Sequence, residues 1–375
     1  MNPRLNVFDF RKTARNRLAR LAFDYLEGGA DDEVTMRRDR DVLTRMVFNP
    51  TVLKGIRQVD LSKRLFGREY GLPLVIGPVG FCGLFWPRGD SLLARAAGRA
   101  AIPYVLPTLS TTSIEEIPEV AGSERWFQVY AFQDEGRTAD LIARAQSAGY
   151  KALVLTVDVP ISGNRESSAR HGANLPMRIT LPFVWDLLCH PHWSLQMLHC
   201  QPRLENLRST GDAKKKEEPF YFDNYFKRSI SWEDVTRIRK LWKGTFILKG
   251  IQCRQDACEA VQAGVDGIVI SNHGGWQLDG SPSAIEVLPE VVTAVKQQLT
   301  IMVDSGFRRG SDLIKAIALG ADAVWLGRAP VYGLAACGEQ GIIAVLTILR
   351  QEMERTMVLL GVDRLCQLHP DCLRR

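Results

Sequence analysis

Eight short apolar runs, rich in β-branched residues and separated by longer stretches, constrain this chain more than any other feature. The runs fall at 74–78, 104–106, 126–130, 152–157, 246–249, 267–271, 301–304 and 323–327. Helical periodicity recurs between and after them at 90–101, 137–148, 232–241, 254–263, 285–298 and 310–319. A run this short and apolar reads as a strand covered on both faces, and strands alternating with helices call for a parallel sheet. Eight such units close into a (β/α)8 TIM barrel, an α/β fold. An open doubly wound sheet is the alternative, but no Gly-x-Gly-x-x-Gly opens a first βα unit. With 375 residues, 46% of them hydrophobic, the chain can bury one large core, so 1–375 reads as a single domain.

The interval 160–231 breaks the rhythm after the fourth strand. It holds Pro182-Phe183-Val184-Trp185-Asp186-Leu187-Leu188, then His190-Pro191-His192-Trp193, then a charged turn at 214–218. An insertion of this length is a lid, an interface or a docking segment. His190 and His192 have a proline between them and no third local ligand, so packing or a surface position suits them better than a metal.

Composition narrows the function classes. A net charge of +6 is small for this length and spread along the chain, which argues against nucleic acid. Eight cysteines without a two-residue spacing read as reduced thiols of an intracellular protein. The arginine-rich first 20 residues lack the apolar core of a signal peptide, and no apolar run approaches the roughly 18–20 residues of a bilayer span. The expectation is a cytoplasmic chain, at most peripheral to the inner face of a membrane.

In a barrel of this kind the chemistry gathers at the C-terminal ends of the strands. Gln128 and Tyr130, Thr156 and Asp158, Lys249, His273, Asp304 and Arg328 all fall at or just past a predicted strand end. Buried polar groups cost free energy unless paired, so their convergence points to one assembled site. His273 stands in Ser271-Asn272-His273-Gly274-Gly275-Trp276-Gln277-Leu278-Asp279, just beyond the sixth strand, where a base is useful. After the seventh and eighth strands come Asp304-Ser305-Gly306-Phe307-Arg308-Arg309-Gly310-Ser311-Asp312 and Gly327-Arg328. Glycines open backbone N–H groups to an anion and arginines add forked donors, a pattern for a phosphorylated ligand.

These motifs, together with Phe23-Asp24-Tyr25-Leu26-Glu27-Gly28-Gly29-Ala30, Trp86-Pro87-Arg88-Gly89-Asp90, Phe127-Gln128-Val129-Tyr130, Thr156-Val157-Asp158-Val159-Pro160, Gly163-Asn164-Arg165-Glu166 and Lys249-Gly250-Ile251, resemble the FMN-dependent 2-hydroxy acid dehydrogenases and oxidases. The similarity covers nearly the whole chain and is greatest to the mandelate and lactate dehydrogenase branch. It implies FMN across the barrel mouth, with Gly306, Arg308, Gly327 and Arg328 at the phosphate. Gln128, Thr156 and Ser271 would meet the ring or ribityl chain, and Pro78, Val79 and Gly80 the flavin edge; Thr108 and Asp304 complete the cofactor set. Lys249 would sit where reduced flavin gains negative charge. By the same resemblance His273 is the base, Asp158 orients it, Tyr130 meets the reacting oxygen, and Tyr25 and Arg165 hold the substrate's carboxyl end. Whether the proton leaves carbon or the hydroxyl stays open, as does the choice of oxygen or quinone as electron acceptor. A homo-oligomer, a tetramer, is expected from the resemblance alone.

Two positions depart from the pattern. Trp276 replaces an arginine that pairs with the substrate carboxylate, and Pro107 stands where a serine is common, leaving Thr108 or Ser110 to serve instead. A charge-assisted hydrogen bond contributes roughly 1.5–3 kcal/mol, so its loss weakens a free acid by about tenfold to more than a hundredfold unless Arg165 and Tyr25 compensate. Indole offers one N–H and an apolar face, which suits an ester, amide, amine or carrier-bound analogue, aromatic ones included. The leading expectation is therefore an FMN-dependent oxidoreductase acting on a 2-hydroxy acid or such a derivative. The alternatives are a conventional membrane-associated mandelate- or lactate-type dehydrogenase feeding a quinone, with 183–207 on the bilayer, and a non-catalytic FMN-binding protein.

Overall fold

The structure is a computed structural model that describes residues 3–120, 122, 124–166, 170, 181–207 and 222–374. The charged turn at 214–218 lies outside them. Eight parallel strands close into a barrel in sequential order: β1 Leu74–Ile76, β2 Tyr104–Leu106, β3 Arg125–Val129, β4 Ala152–Thr156, β5 Thr245–Ile251, β6 Gly267–Ile270, β7 Thr300–Val303 and β8 Ala323–Leu326. Closure runs through β8 and β1, where Val324 pairs with Leu74. All eight expected strands form within three residues of their expected ends. Their residues are buried almost throughout, because one face packs on the helices and the other fills the barrel.

Trp126, Val154, Ile247, Met302 and Trp325 are among the side chains that fill the interior. The Trp126 and Trp325 rings lie 5.9 Å apart, and the Trp325 indole N–H donates to Met302 Sδ at 3.2 Å. A hairpin of Lys63–Leu65 and Arg68–Tyr70 sets Phe66 against Trp126 at 5.8 Å. It plugs the end where the strands begin. Among the described residues a deep cavity opens where the strands finish.

The helices expected after the strands are present, including Gly89–Arg99, Glu135–Ser147, Trp232–Leu241 and Gly310–Ala318. After β2 the helix is a single turn, Ile117–Val120, too short to show a period. The final helix, Arg328–Leu360, corrects one expectation. By length and composition it could cross a bilayer, yet most of it is buried, it kinks at Cys337 and Gly338, and it packs on Val7–Arg17 and Gly89–Arg99. Its apolar character serves the core.

Within the insertion, Leu181–Cys189 and Pro191–His199 form a helical hairpin. Three contacts seat it on the barrel mouth. Asp186 Oδ2 accepts the Arg20 N–H at 2.7 Å, at the start of the helix Arg20–Glu27. The Trp193 indole N–H donates to Leu84 O at 2.8 Å, and Arg17 donates to the Gln196 side chain. His190 is taken up by the Asp186 carbonyl at 2.8 Å, and His192 is exposed, in keeping with packing and surface roles.

Candidate active site

The C-terminal mouth opens on a cavity of about 1070 Å³. That is at the top of the range for small-molecule sites and roomy enough for a cofactor with a substrate beside it.

Its base is assembled by a backbone irregularity. β5 shifts register against β6 between Lys249 and Ile251, and Gly250 adopts φ 116. A Cβ at Gly250 would stand 2.6 Å from Asp158 Cβ, so only glycine allows the two segments to approach. The Asp158 carboxylate thereby reaches His273 Nδ1, 3.1 Å from each of its oxygens. His273 itself sits at φ 57, a left-handed conformation that costs a side chain of this kind about 1 kcal/mol or more. Its N–H donates to Ser271 Oγ at 3.0 Å, which holds that turn. The imidazole is thus fixed at Nδ1, and Nε2 is the nitrogen left for chemistry.

Lys249 Nζ donates to Ser271 Oγ at 2.8 Å and pairs with Asp304 Oδ2 at 3.0 Å. Two of three ammonium hydrogens are used, and the residue faces the cavity. Burial pushes Asp158 up, but the charges and hydrogen bond of His273 and Lys249 outweigh it and hold the carboxyl below its usual range. Burial pulls Lys249 down, but Asp304 and Asp158 outweigh it and raise it. Both groups are therefore ionised at neutral pH.

Pro78, Val79, Gly80, Gln128, Thr156, Lys249, Asp304, Gly306, Arg308, Gly327 and Arg328 all line the cavity. Gln128 is oriented by the Thr108 N–H on its Oε1 and by Thr156 Oγ1 on its Nε2, each at 3.0 Å. Three of the residues expected at the cofactor are also engaged by the chain itself. Thr108 and Ser271 are fully buried and stand behind the lining, where their hydroxyls hold Gln128 and Lys249. The Arg328 guanidinium donates to Leu26 O at 3.0 Å and to Gly28 O and Gly274 O at 2.9 Å each. Its charge faces the site, but its donors tie the N-terminal segment to the His273 loop.

The residues present fit a phosphorylated flavin. Ser305 and Gly306 turn the backbone at φ 76 and 83, and the helices Gly310–Ala318 and Arg328–Leu360 begin just beyond the two glycine-bearing loops. Helix N-termini and such backbone nests receive anions, and the Arg308 side chain lies beside them. Asp39, on the helix Val34–Arg45, braces this loop. It accepts from Asn272 Nδ2 at 2.8 Å, and burial pushes its carboxyl up to about 6 against the pull of Asn272 and Ser283. Nothing in the sequence around Asp39 marks it; only the fold brings it to residue 272.

The opposite side of the cavity is built from Tyr25, Tyr130, Arg165 and Trp276. Gly163 makes that possible, because any Cβ there would overlap the Trp276 carbonyl. The Arg165 guanidinium stacks 4.1 Å from the Trp276 ring, and Tyr25 meets the same indole edge-on at 5.3 Å. Burial raises Tyr25 to about 12, so its hydroxyl stays a donor. Leu187, Trp193 and Met197 of the hairpin close the roof, a role that apolar periodicity alone did not assign to them.

A plugged barrel with an ionised lysine, a histidine–aspartate pair and an anion-binding loop at its open mouth defines an oxidoreductase built around a phosphorylated cofactor. A family model described as FMN-dependent dehydrogenase matches residues 14–375, so the chain belongs to that family and its cofactor is FMN. It is 40% identical over 370 residues to an (S)-mandelate dehydrogenase of Pseudomonas putida, covering 98% of this chain and 93% of that protein. It is also 40% identical to an L-lactate dehydrogenase of Yersinia pestis, covering 97% of each. Among solved structures, the monotopic membrane protein (S)-mandelate dehydrogenase superposes with a TM-score of 0.94 at 39% identity over 100% of both chains. A mandelate oxidase variant with 2-hydroxy-phenylacetamide gives 0.83 at 35%, covering 99% and 98%.

Proposed function

We propose that this enzyme dehydrogenates a 2-hydroxy acid or a close derivative of one, with His273 as the base. The observation that carries the reading is the His273–Asp158 pair at 3.1 Å, set in the same cavity as the buried Lys249. His273 accepts a proton from the substrate through Nε2, and Asp158 stabilises the imidazolium that results. Tyr130 donates to the reacting oxygen. Tyr25 and Arg165 hold the acyl end, and Lys249 favours negative charge on the group beside it. Bound FMN supplies the two-electron acceptor. The substrate carbon loses two electrons and the molecule two protons, giving the 2-oxo product.

The named relatives act on mandelate and lactate, and one related oxidase variant has been seen with an amide of mandelate, so both acids and derivatives fall within the range of such sites. The test is His273→Ala in the FMN-loaded enzyme. Substrate-dependent bleaching of the flavin is expected to vanish while FMN stays bound, and undiminished bleaching would exclude the mechanism.

A membrane-borne acceptor of the quinone class is a second reading, favoured by the outer face of the hairpin. Leu181, Trp185, Leu188 and Leu195 point outward, with Trp185 69% and Leu188 67% exposed. An apolar patch on paired helices is suited to lie in a lipid interface.

A further inference from the structure

We propose that Trp276 tunes the acyl end of this site to an uncharged group, so that the preferred substrate is an amide or ester of a 2-hydroxy acid; this rests on the dehydrogenase reading above.

The argument starts from what Arg165 lacks. Among the described residues no carboxylate pairs with it, and its Nε is buried without a hydrogen-bond partner. The Trp276 ring covers its face at 4.1 Å. An aromatic face attracts a guanidinium and takes over part of what a counter-ion provides. Arg165 can therefore remain charged beside a ligand that brings no charge.

The second observation is the indole N–H. Trp276 Nε1 is buried and also lacks a partner, and a buried donor left unmade costs free energy until something accepts from it. The edge of a stacked guanidinium and one indole N–H are both donors, suited to a carbonyl oxygen. Tyr25, edge-on to the same ring and held protonated by burial, adds a third donor.

A carboxylate would meet the Arg165 cation, already engaged through its face, while Arg328, 5.7 Å from the same indole, has donors tied up by the carbonyls of Leu26, Gly274 and Gly28. It would lose the hydration of a full charge in a cavity whose base already carries the ionised Asp158. An amide or ester gives up far less hydration and still satisfies the waiting donors. The difference is the worth of about one charge-assisted hydrogen bond, which corresponds to about tenfold to a hundredfold.

The experiment compares (S)-mandelic acid, its methyl ester and 2-hydroxy-phenylacetamide as anaerobic reductants of the FMN-loaded enzyme. Binding of benzoyl-formic acid and of its amide is read in parallel from the spectrum of the oxidised flavin. The neutral compounds are expected to exceed the acid by about tenfold or more, both in kcat/KM and in affinity. Trp276→Arg should invert that order, and Trp276→Phe, which keeps the ring face, should preserve it. A wild-type preference for the acid overturns the proposal, as does a Trp276→Arg enzyme, with FMN bound, whose acid-to-amide ratio stays within about twofold of wild type. A Phe variant that loses the preference overturns the role of the ring face. Should none of the three compounds bleach the flavin, the dehydrogenase reading loses mandelate-type substrates, and the binding pair still decides the preference. Reduction by the acid alone leaves that reading standing and removes only this proposal.

Discussion

Replacing Asp158 by asparagine separates the charge beside His273 from the hydrogen bond. The carboxylate lies 3.1 Å from Nδ1. At an effective dielectric of about 20, a unit charge at that distance stabilises an imidazolium by about 5 kcal/mol. Asparagine can still offer an oxygen to Nδ1–H, so part of that interaction persists and about 3–4 kcal/mol is lost. If the imidazolium forms in the rate-limiting step, flavin reduction should slow by about two to three powers of ten. Rapid mixing of the FMN-loaded variant with saturating substrate under argon measures this directly, with flavin content and thermal midpoint as controls for folding. Lys249 keeps its contact with Asp304, so cofactor binding is expected to survive. A variant that holds FMN, melts normally and reduces its flavin within about fivefold of wild type would refute the role given to Asp158.

Asp39 offers a test through stability. Its carboxyl is raised from 3.8 to about 6, so the unfolded chain loses this proton first as pH rises, and stability falls between about pH 4 and 6. Above that window the buried acid costs about 3 kcal/mol, from a shift near two units at 1.36 kcal/mol each. Asp39→Asn, whose oxygen can still accept from Asn272, should therefore raise the melting temperature at pH 7.5 and not at pH 4. An equal shift at both values, or a fall at pH 7.5, counts against it. On the hairpin, Trp185→Ser with Leu188→Ser removes apolar area worth about 3 kcal/mol in lipid, about a hundredfold in partitioning. Co-sedimentation with vesicles should drop accordingly while flavin reduction by a soluble substrate is unchanged; wild-type enzyme left in the supernatant would sink the idea.

The barrel was legible because its strands are buried on both faces and so run apolar without alternation, while polar residues stand out where each strand ends. Lys249, Asp304 and His273 could be read as one site for that reason. What stayed hidden depends on which face a segment turns inward. Leu187 and Trp185 are two residues apart in one apolar stretch, yet the first lines the cavity and the second faces outward. The helix Arg328–Leu360 escaped for a related reason in its first half, since Ala329 to Ala336 are buried on all sides and leave little periodicity to detect. Arg328 was expected to face a phosphate from its type and position. Three carbonyls from two distant loops could not be foreseen from its neighbours in sequence.

That arginine also dictates an order of assembly. It joins carbonyls 302, 54 and 300 residues away, so these three ties of the Tyr25 segment and the His273 loop form only after nearly nine-tenths of the polypeptide has been made. Contacts of such long sequence separation close late and slow folding. A chain halted before residue 328 lacks these three ties, although Ala30 still reaches Gly275 and Asp31 still reaches Asn164. The last βα unit thus completes the mouth that the earlier units begin.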